Sequence, residues 1–151
     1  MIRFPLTVRL DPSDTYVFDR AAEPGEWAIP GAFVFSSLDA ETLMAGKIGR
    51  AFATGFLGLA SFGWSTLVRV AEMPDDEYET LTNSLAMHFV ARYGAPDVAT
   101  ALPVARLELE FATSLCDHPL DTLIAVERTL GDNGIKERFR FVSPDAAPSA
   151  R

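Results

Sequence analysis

Apolar and polar positions alternate at the start of the chain. Ile2, Phe4, Leu6, Val8 and Leu10 are separated by Arg3, Pro5, Thr7 and Arg9. A period of two predicts a strand with one face on a core. Pro5 has no N–H to give to a ladder, so that strand is expected at an edge or irregular there. Asp11-Pro12-Ser13-Asp14 reads as a turn. Thr15–Phe18 reads as a second short strand, so the two strands are expected to form a hairpin. From Asp19 to Gly31 the periodicity lapses. Pro24-Gly25 and Pro30-Gly31 punctuate a loop, long for a compact domain, that carries Trp27. Ala32–Ser36 is a further candidate strand.

The period then changes. Leu43, Met44, Ile48, Phe52 and Phe56 recur at helical spacing, and Ser37 or Asp39 can cap a helix running to near Gly55. Gly58 and Gly63 bracket a loop, and Trp64–Ala71 reads as a central strand. Pro74 followed by Asp75, Asp76 and Glu77 opens a second helix, with Tyr78, Leu81, Leu85 and Phe89 on one face and Gly94 at its end. Asp97 can cap a short turn before Pro103, which opens or kinks a third helix with an apolar stripe of Val104, Leu107, Phe111 and Leu115. Thr122–Leu130 and Ile135–Val142 flank Gly131-Asp132-Asn133-Gly134, a strong hairpin signal. The order predicts an α+β fold: an antiparallel or mixed sheet of about five to six strands, with about three helices packed mainly on one face. Residues 1–142 are expected to form one domain, and 143–151 a frayed tail.

Composition narrows the function classes. The 151 residues are 48% apolar and include 11 Phe. That is enough for a core without metal or disulfide. A net charge of −8 argues against nucleic acid and against an anionic membrane surface as partner. The single cysteine excludes an intrachain disulfide, and the N-terminus carries charge too early for a secretory leader. No run approaches the ~20 apolar residues that span a bilayer. The expected location is cytoplasmic.

Few motifs carry chemistry. Cys116-Asp117-His118, with His88 elsewhere, falls short of the four ligands of a structural zinc site and matches no thiol-enzyme spacing. It reads as a buried thiol beside a loop histidine. Ala45-Gly46-Lys47-Ile48 lacks the earlier glycine and the following Ser or Thr of a phosphate loop, so Lys47 reads as a solvated helix residue. Glu108 and Glu110 are two apart on a helix and face apart, while Glu110 can pair with Arg106. No cofactor and no metal are implied.

Two features stand out. Gly55–Trp64 combines glycines with Phe56, Phe62 and Trp64, and could wall a pocket under a lid formed by the 19–31 loop. Trp27, Glu26, Ser61 and Trp64 are then the candidate ligand-binding residues, with Ser65 nearby. Lys136, Arg138 and Arg140 alternate along the last strand, as Arg3 and Arg9 do along the first. If those strands are neighbours, the five cations share a face suited to an anion or acidic partner. The bland alternative is a solvated sheet face neutralised by Glu127 and Glu137.

Leu10-Asp11-Pro12-Ser13-Asp14-Thr15 through Glu23-Pro24-Gly25-Glu26-Trp27-Ala28, together with Gly55-Phe56-Leu57-Gly58 through Ser61-Phe62-Gly63-Trp64-Ser65-Thr66-Leu67, resembles a family of small bacterial proteins of unknown function. The resemblance covers almost the whole chain except the tail. It implies a compact bacterial cytoplasmic protein, an accessory to a larger metabolic gene set, and marks Trp27 and Trp64 as places to look. It supplies no activity, cofactor or catalytic residue. The reading in front is a non-catalytic accessory or binding protein, a homodimer with a protein partner in prospect. The apolar content exceeds what one core readily hides. The alternative is a small-molecule-binding protein or small enzyme using the pocket between the 19–31 loop and the 55–64 segment.

Overall fold

A computed structural model describes residues 1–144. The chain is α+β, as its patterning predicts, but the strands form two antiparallel sheets rather than one. The larger has the order β1-β5-β6-β7, from Ile2–Val8, Leu67–Met73, Leu123–Gly131 and Gly134–Val142. The smaller has the order β2-β3-β4, from Ala28–Ile29, Phe56–Gly58 and Trp64–Ser65. Five α-helices accompany them among the described residues, not three: α1 (Asp14–Val17), α2 (Ala40–Leu43), α3 (Gly46–Thr54), α4 (Asp75–Arg92) and α5 (Val98–Ser114). The expected tail lies mostly outside the described residues.

The first strand is an edge strand, as Pro5 requires, but its neighbour is β5 and not Thr15–Phe18. That segment is helical: a local side-chain bond supports the turn before it, and a bond from a residue far along the chain holds its first residue. Ser13 N–H donates to Asp11 Oδ1. The buried Asp14 carboxylate accepts from Thr66 N–H at 3.1 Å and from Thr66 Oγ1 at 2.7 Å. Ala32–Phe35 is a 3₁₀ turn, not a strand. The long helix expected after Asp39 breaks at Ala45, whose backbone is extended (φ −107°, ψ 133°). Gly46 and Gly49 beyond the break are poor helix formers. Asp39 does cap α2, accepting from Thr42 N–H at 2.8 Å, as its side chain suits that position. Asp97 likewise caps α5, which starts before Pro103 and runs through it.

Burial along β5 switches faces. Val68 and Val70 point one way, and Ala71 and Met73 the other, since successive strand side chains alternate. Val68 and Val70 pack with Ile124, Val126, Cys116 and the small-sheet residues Ala28 and Phe56. Met73 joins Phe4, Ile29, Leu57, Leu85 and Leu109 in a second cluster under α4 and α5. The sheets therefore share a core, and the small sheet presents β3 to both clusters.

Of the apolar stripe expected on α5, Leu115 packs on the core but the rest is outside. Ala101, Ala105, Leu109 and Ala112 face the core, while Val104, Leu107 and Phe111 are 50%, 64% and 40% exposed. Three alanines let α5 lie close to its neighbours and leave the larger residues in solvent.

Candidate functional site

Glu26 and Ser61, named from sequence as ligand groups, do meet, but they spend their bonding capacity on each other and on backbone. Glu26 is buried. Its Oε1 accepts from Ala60 N–H (3.1 Å) and Ser61 N–H (2.8 Å). Its Oε2 accepts from Glu23 N–H (2.6 Å) and Ser61 Oγ (2.8 Å). Ser61 Oγ in turn accepts from Gly63 N–H at 3.0 Å. Burial would raise the Glu26 pKa, but the Ser61 backbone and hydroxyl bonds, with those from Glu23 and Ala60, overcome it and hold the carboxyl below its ordinary value. The carboxylate is a staple between the 23–26 loop and the 60–63 turn. Gly58 makes room for the carboxylate, and Gly63 for the backbone of the facing loop. A Cβ at Gly58 would stand 2.5 Å from Glu26 Oε1, and one at Gly63 would stand 2.8 Å from the Ala21 backbone.

The stapled turn builds a wall. Phe62 sits at its tip with φ 56°. A bulky residue adopts that left-handed conformation only when its surroundings hold it there. Its ring stacks on His88 of α4, 3.7 Å between centroids and 5° from parallel. Tyr93, at the end of α4, meets His88 edge-on at 5.5 Å. Trp64 closes another side, stacked on Phe35 at 5.0 Å. Between these rings lies a cleft of about 660 Å³ lined by Phe62, Trp64, His88, Tyr93, Leu57 and Val34, with Arg20 and Arg92. Arg20 is placed by its backbone, whose carbonyl accepts from Trp64 N–H at 2.9 Å, and its Nη1 donates to Ser61 O at 3.2 Å.

No acidic side chain lines this cleft among the described residues. His88 is held neutral: burial lowers its pKa, and the Arg92 charge lowers it further. Burial also raises the Tyr93 pKa, against the opposing pull of Arg92, so the phenol stays protonated. The available chemistry is recognition: two cations, a neutral imidazole, a phenol donor and ring faces. A larger hollow of about 760 Å³ lies beside α3 and β6, with Lys47 and Arg50 on its rim. Its Tyr16 and Met44 are 73% and 64% exposed, so that hollow is open surface rather than a built site.

The 55–64 segment contributes Leu57, Phe62 and Trp64 to this cleft, and the 19–31 loop contributes Arg20 rather than a lid carrying Trp27. Trp27 is engaged elsewhere. Its indole N–H donates to Glu77 Oε1 at 2.9 Å and its ring meets Phe4 edge-on. Ser65 is buried, its hydroxyl bonding Leu67 O and Val8 O.

The shared cationic face does not form. β1 and β7 are opposite edges of the sheet, and the register puts Arg3 on the other face from Lys136, Arg138 and Arg140. Arg3 donates to His118 O and Arg9 to Ala22 O. The β7 cations pair across the ladder with Thr129, Glu127 and Ala125, and Arg138 lies 4.0 Å from Glu127. Cys116 is buried, and that burial pushes its thiol up to about 12, while His118 stacks on Phe141. Among the described residues no group of three His, Cys, Asp or Glu could hold a metal ion.

Sequence reasoning passed over Arg20, Arg92 and Tyr93, and treated His88 only as a metal ligand or a partner for the thiol. The available signal was His88 and Arg92, four apart on a helix and so on one face. It also passed over Arg128, a charge standing in the buried register of Ile124 and Val126. That side chain is fully enclosed. Its Nε donates to Glu137 Oε2 at 2.8 Å. Its Nη1 donates to the Ala51, Phe52 and Gly55 carbonyls that end α3, and Nη2 to Pro30 O. A planar guanidinium can satisfy several helix-end carbonyls at once. It fixes α3 on β6.

No helix among the described residues is long and apolar enough to cross a membrane. No curated protein and no solved structure matches the chain. Residues 1–150 match DUF6505, a family of unknown function, and the chain belongs to that family.

Proposed function

We propose that this protein binds a small organic anion with a planar apolar body, an aromatic or conjugated carboxylate in chemistry, in the cleft between the 60–63 turn and the end of α4. One observation carries the reading: Arg20 and Arg92 line an aromatic-walled cleft whose lining holds no acidic side chain, on a chain of net charge −8. Two guanidinium groups select charge and can bond a carboxylate in a fork. The Phe62, Trp64 and Tyr93 rings select a flat apolar body. His88, neutral at pH 7, adds a hydrogen bond without adding charge.

Titration calorimetry with benzoate and indole-3-acetate, set against benzyl alcohol and indole, tests the reading. The carboxylates bind and the neutral analogues do not. Arg20→Ala/Arg92→Ala together weaken binding roughly 10–100-fold, as the loss of two partly exposed charge-assisted bonds implies. Equal affinity for acid and alcohol, or carboxylate binding unchanged in the double variant, would rule the proposal out.

A further inference from the structure

The exposed face of α5 carries an apolar strip that runs on to the sheet. Val104, Leu107 and Phe111 lie on one face at spacings of three and four. All three are at least 40% exposed. The strip continues onto the sheet, where Phe111 meets Phe139 edge-on at 5.7 Å. Contiguous apolar surface of this kind marks a contact site. Beside it stand Arg106 and Glu110. They are four apart on the helix, yet they form no ion pair with each other among the described residues.

We infer that this face is covered by α5 of a second copy of the chain, the two helices packing antiparallel about a two-fold axis near Leu107 and Glu108. Charge and shape both complement themselves in that arrangement. The axis sets Val104 against the partner's Phe111 and brings Leu107 beside its own symmetry mate. It also brings Arg106 to the partner's Glu110, and Glu110 to the partner's Arg106. A two-fold contact uses one patch twice, so every favourable pair is made twice. The rival self-association, through the free edge of β7, opposes like charges. An antiparallel pairing about Arg138 sets that residue against itself and Lys136 against the partner's Arg140, which the ladder penalises. The cations of β7 protect that edge, and α5 is left as the self-complementary surface.

Sedimentation velocity of the full chain from ~1 to ~100 μM tests the inference. The wild-type protein sediments as a dimer. Leu107→Glu, at an exposed position that leaves the fold intact by circular dichroism, sediments as a monomer at ~50 μM. Arg106→Glu weakens the dimer at least ~10-fold, and Arg106→Glu/Glu110→Arg restores it, because the swap re-forms the opposite-charge pairs. A wild-type monomer throughout overturns the inference, whether the face stays bare or takes a different protein. So does a dimer indifferent to Leu107→Glu, which would be built through another surface. A swap that fails to recover what the single variant loses overturns it as well.

Discussion

Replacing Glu26 by Gln keeps the shape of the side chain and removes its charge. Oε1 can still accept from Ala60 and Ser61 N–H, but an amide NH₂ now faces Glu23 N–H, donor against donor. A hydrogen bond to a charged group contributes ~1.5–3 kcal/mol and a neutral one ~0.5–1.5 kcal/mol. Three retained bonds therefore weaken by about 1–1.5 kcal/mol each, and the orphaned donor adds about 1–3 kcal/mol. The variant should lose about 4–7 kcal/mol, a drop in melting temperature of roughly 10–25 °C for a chain of this size. Urea unfolding followed by circular dichroism measures it.

The pH dependence sharpens the test. The folded-state pKa of Glu26 lies below its ordinary value. Its contribution is therefore present above the unfolded pKa and disappears as pH falls through the folded one. The gap between wild type and Glu26→Gln should close in acid. Because the staple holds the turn that carries Phe62, the variant should also lose carboxylate binding at temperatures where it remains folded. A variant within ~0.5 kcal/mol of wild type at pH 7 would refute the reasoning, since that is the range of surface substitutions that touch nothing.

Arg128→Met should destabilise by about 3–5 kcal/mol in thermal melts, because it strands a buried charge partner and leaves helix-end carbonyls unpaired. The groups stranded are the Glu137 carboxylate and the α3 carbonyls, and Arg128→Lys should recover little of the loss without the planar fork. Cys116, buried and with its thiol at about 12, should resist a disulfide reagent at pH 8 in the native protein and react once urea unfolds it. Rapid native labelling contradicts this. The His88 ring, followed by NMR, should titrate below its ordinary value of 6.5. Its part in stability then rises with pH from the folded-state pKa up to that value. Arg92→Gln should move the His88 midpoint upward, and an unmoved midpoint contradicts the coupling.

The strong periodicities were legible. The alternation of Ile2–Val8, the Tyr78–Phe89 face and the Asn133-Gly134 hairpin all appear where the pattern puts them. The failures share a cause. Thr15–Phe18 and Ala32–Phe35 are short, and their apolar residues suit either state, so contacts made at a distance decide. For the first it is the bond of buried Asp14 to Thr66, and for the second the packing of Phe33 and Phe35 on α4 and α3. The α5 stripe misleads because alanine, too small to dominate a pattern, is what the core accepts there. At the site, of the residues singled out from sequence Trp64 lines the cleft while Glu26 and Ser61 do not, and the bonding between those two was not legible. Nothing in the spacing says that a carboxylate will be saturated by backbone N–H groups from 34 and 35 residues away. Arg20 and Arg92 join the cleft only through tertiary packing, and no local pattern links residues that far apart.

The central claim is that the cleft beside α4 recognises anions. An NMR titration of isotope-labelled protein with benzoate tests it directly, since the two tryptophans lie at different places. Saturating shifts at the Trp64 indole, the Phe62 amide and the His88 ring, with the Trp27 indole unmoved, are the predicted result. Shifts centred on Trp27 or on the α3 hollow, or none at millimolar benzoate, would contradict it.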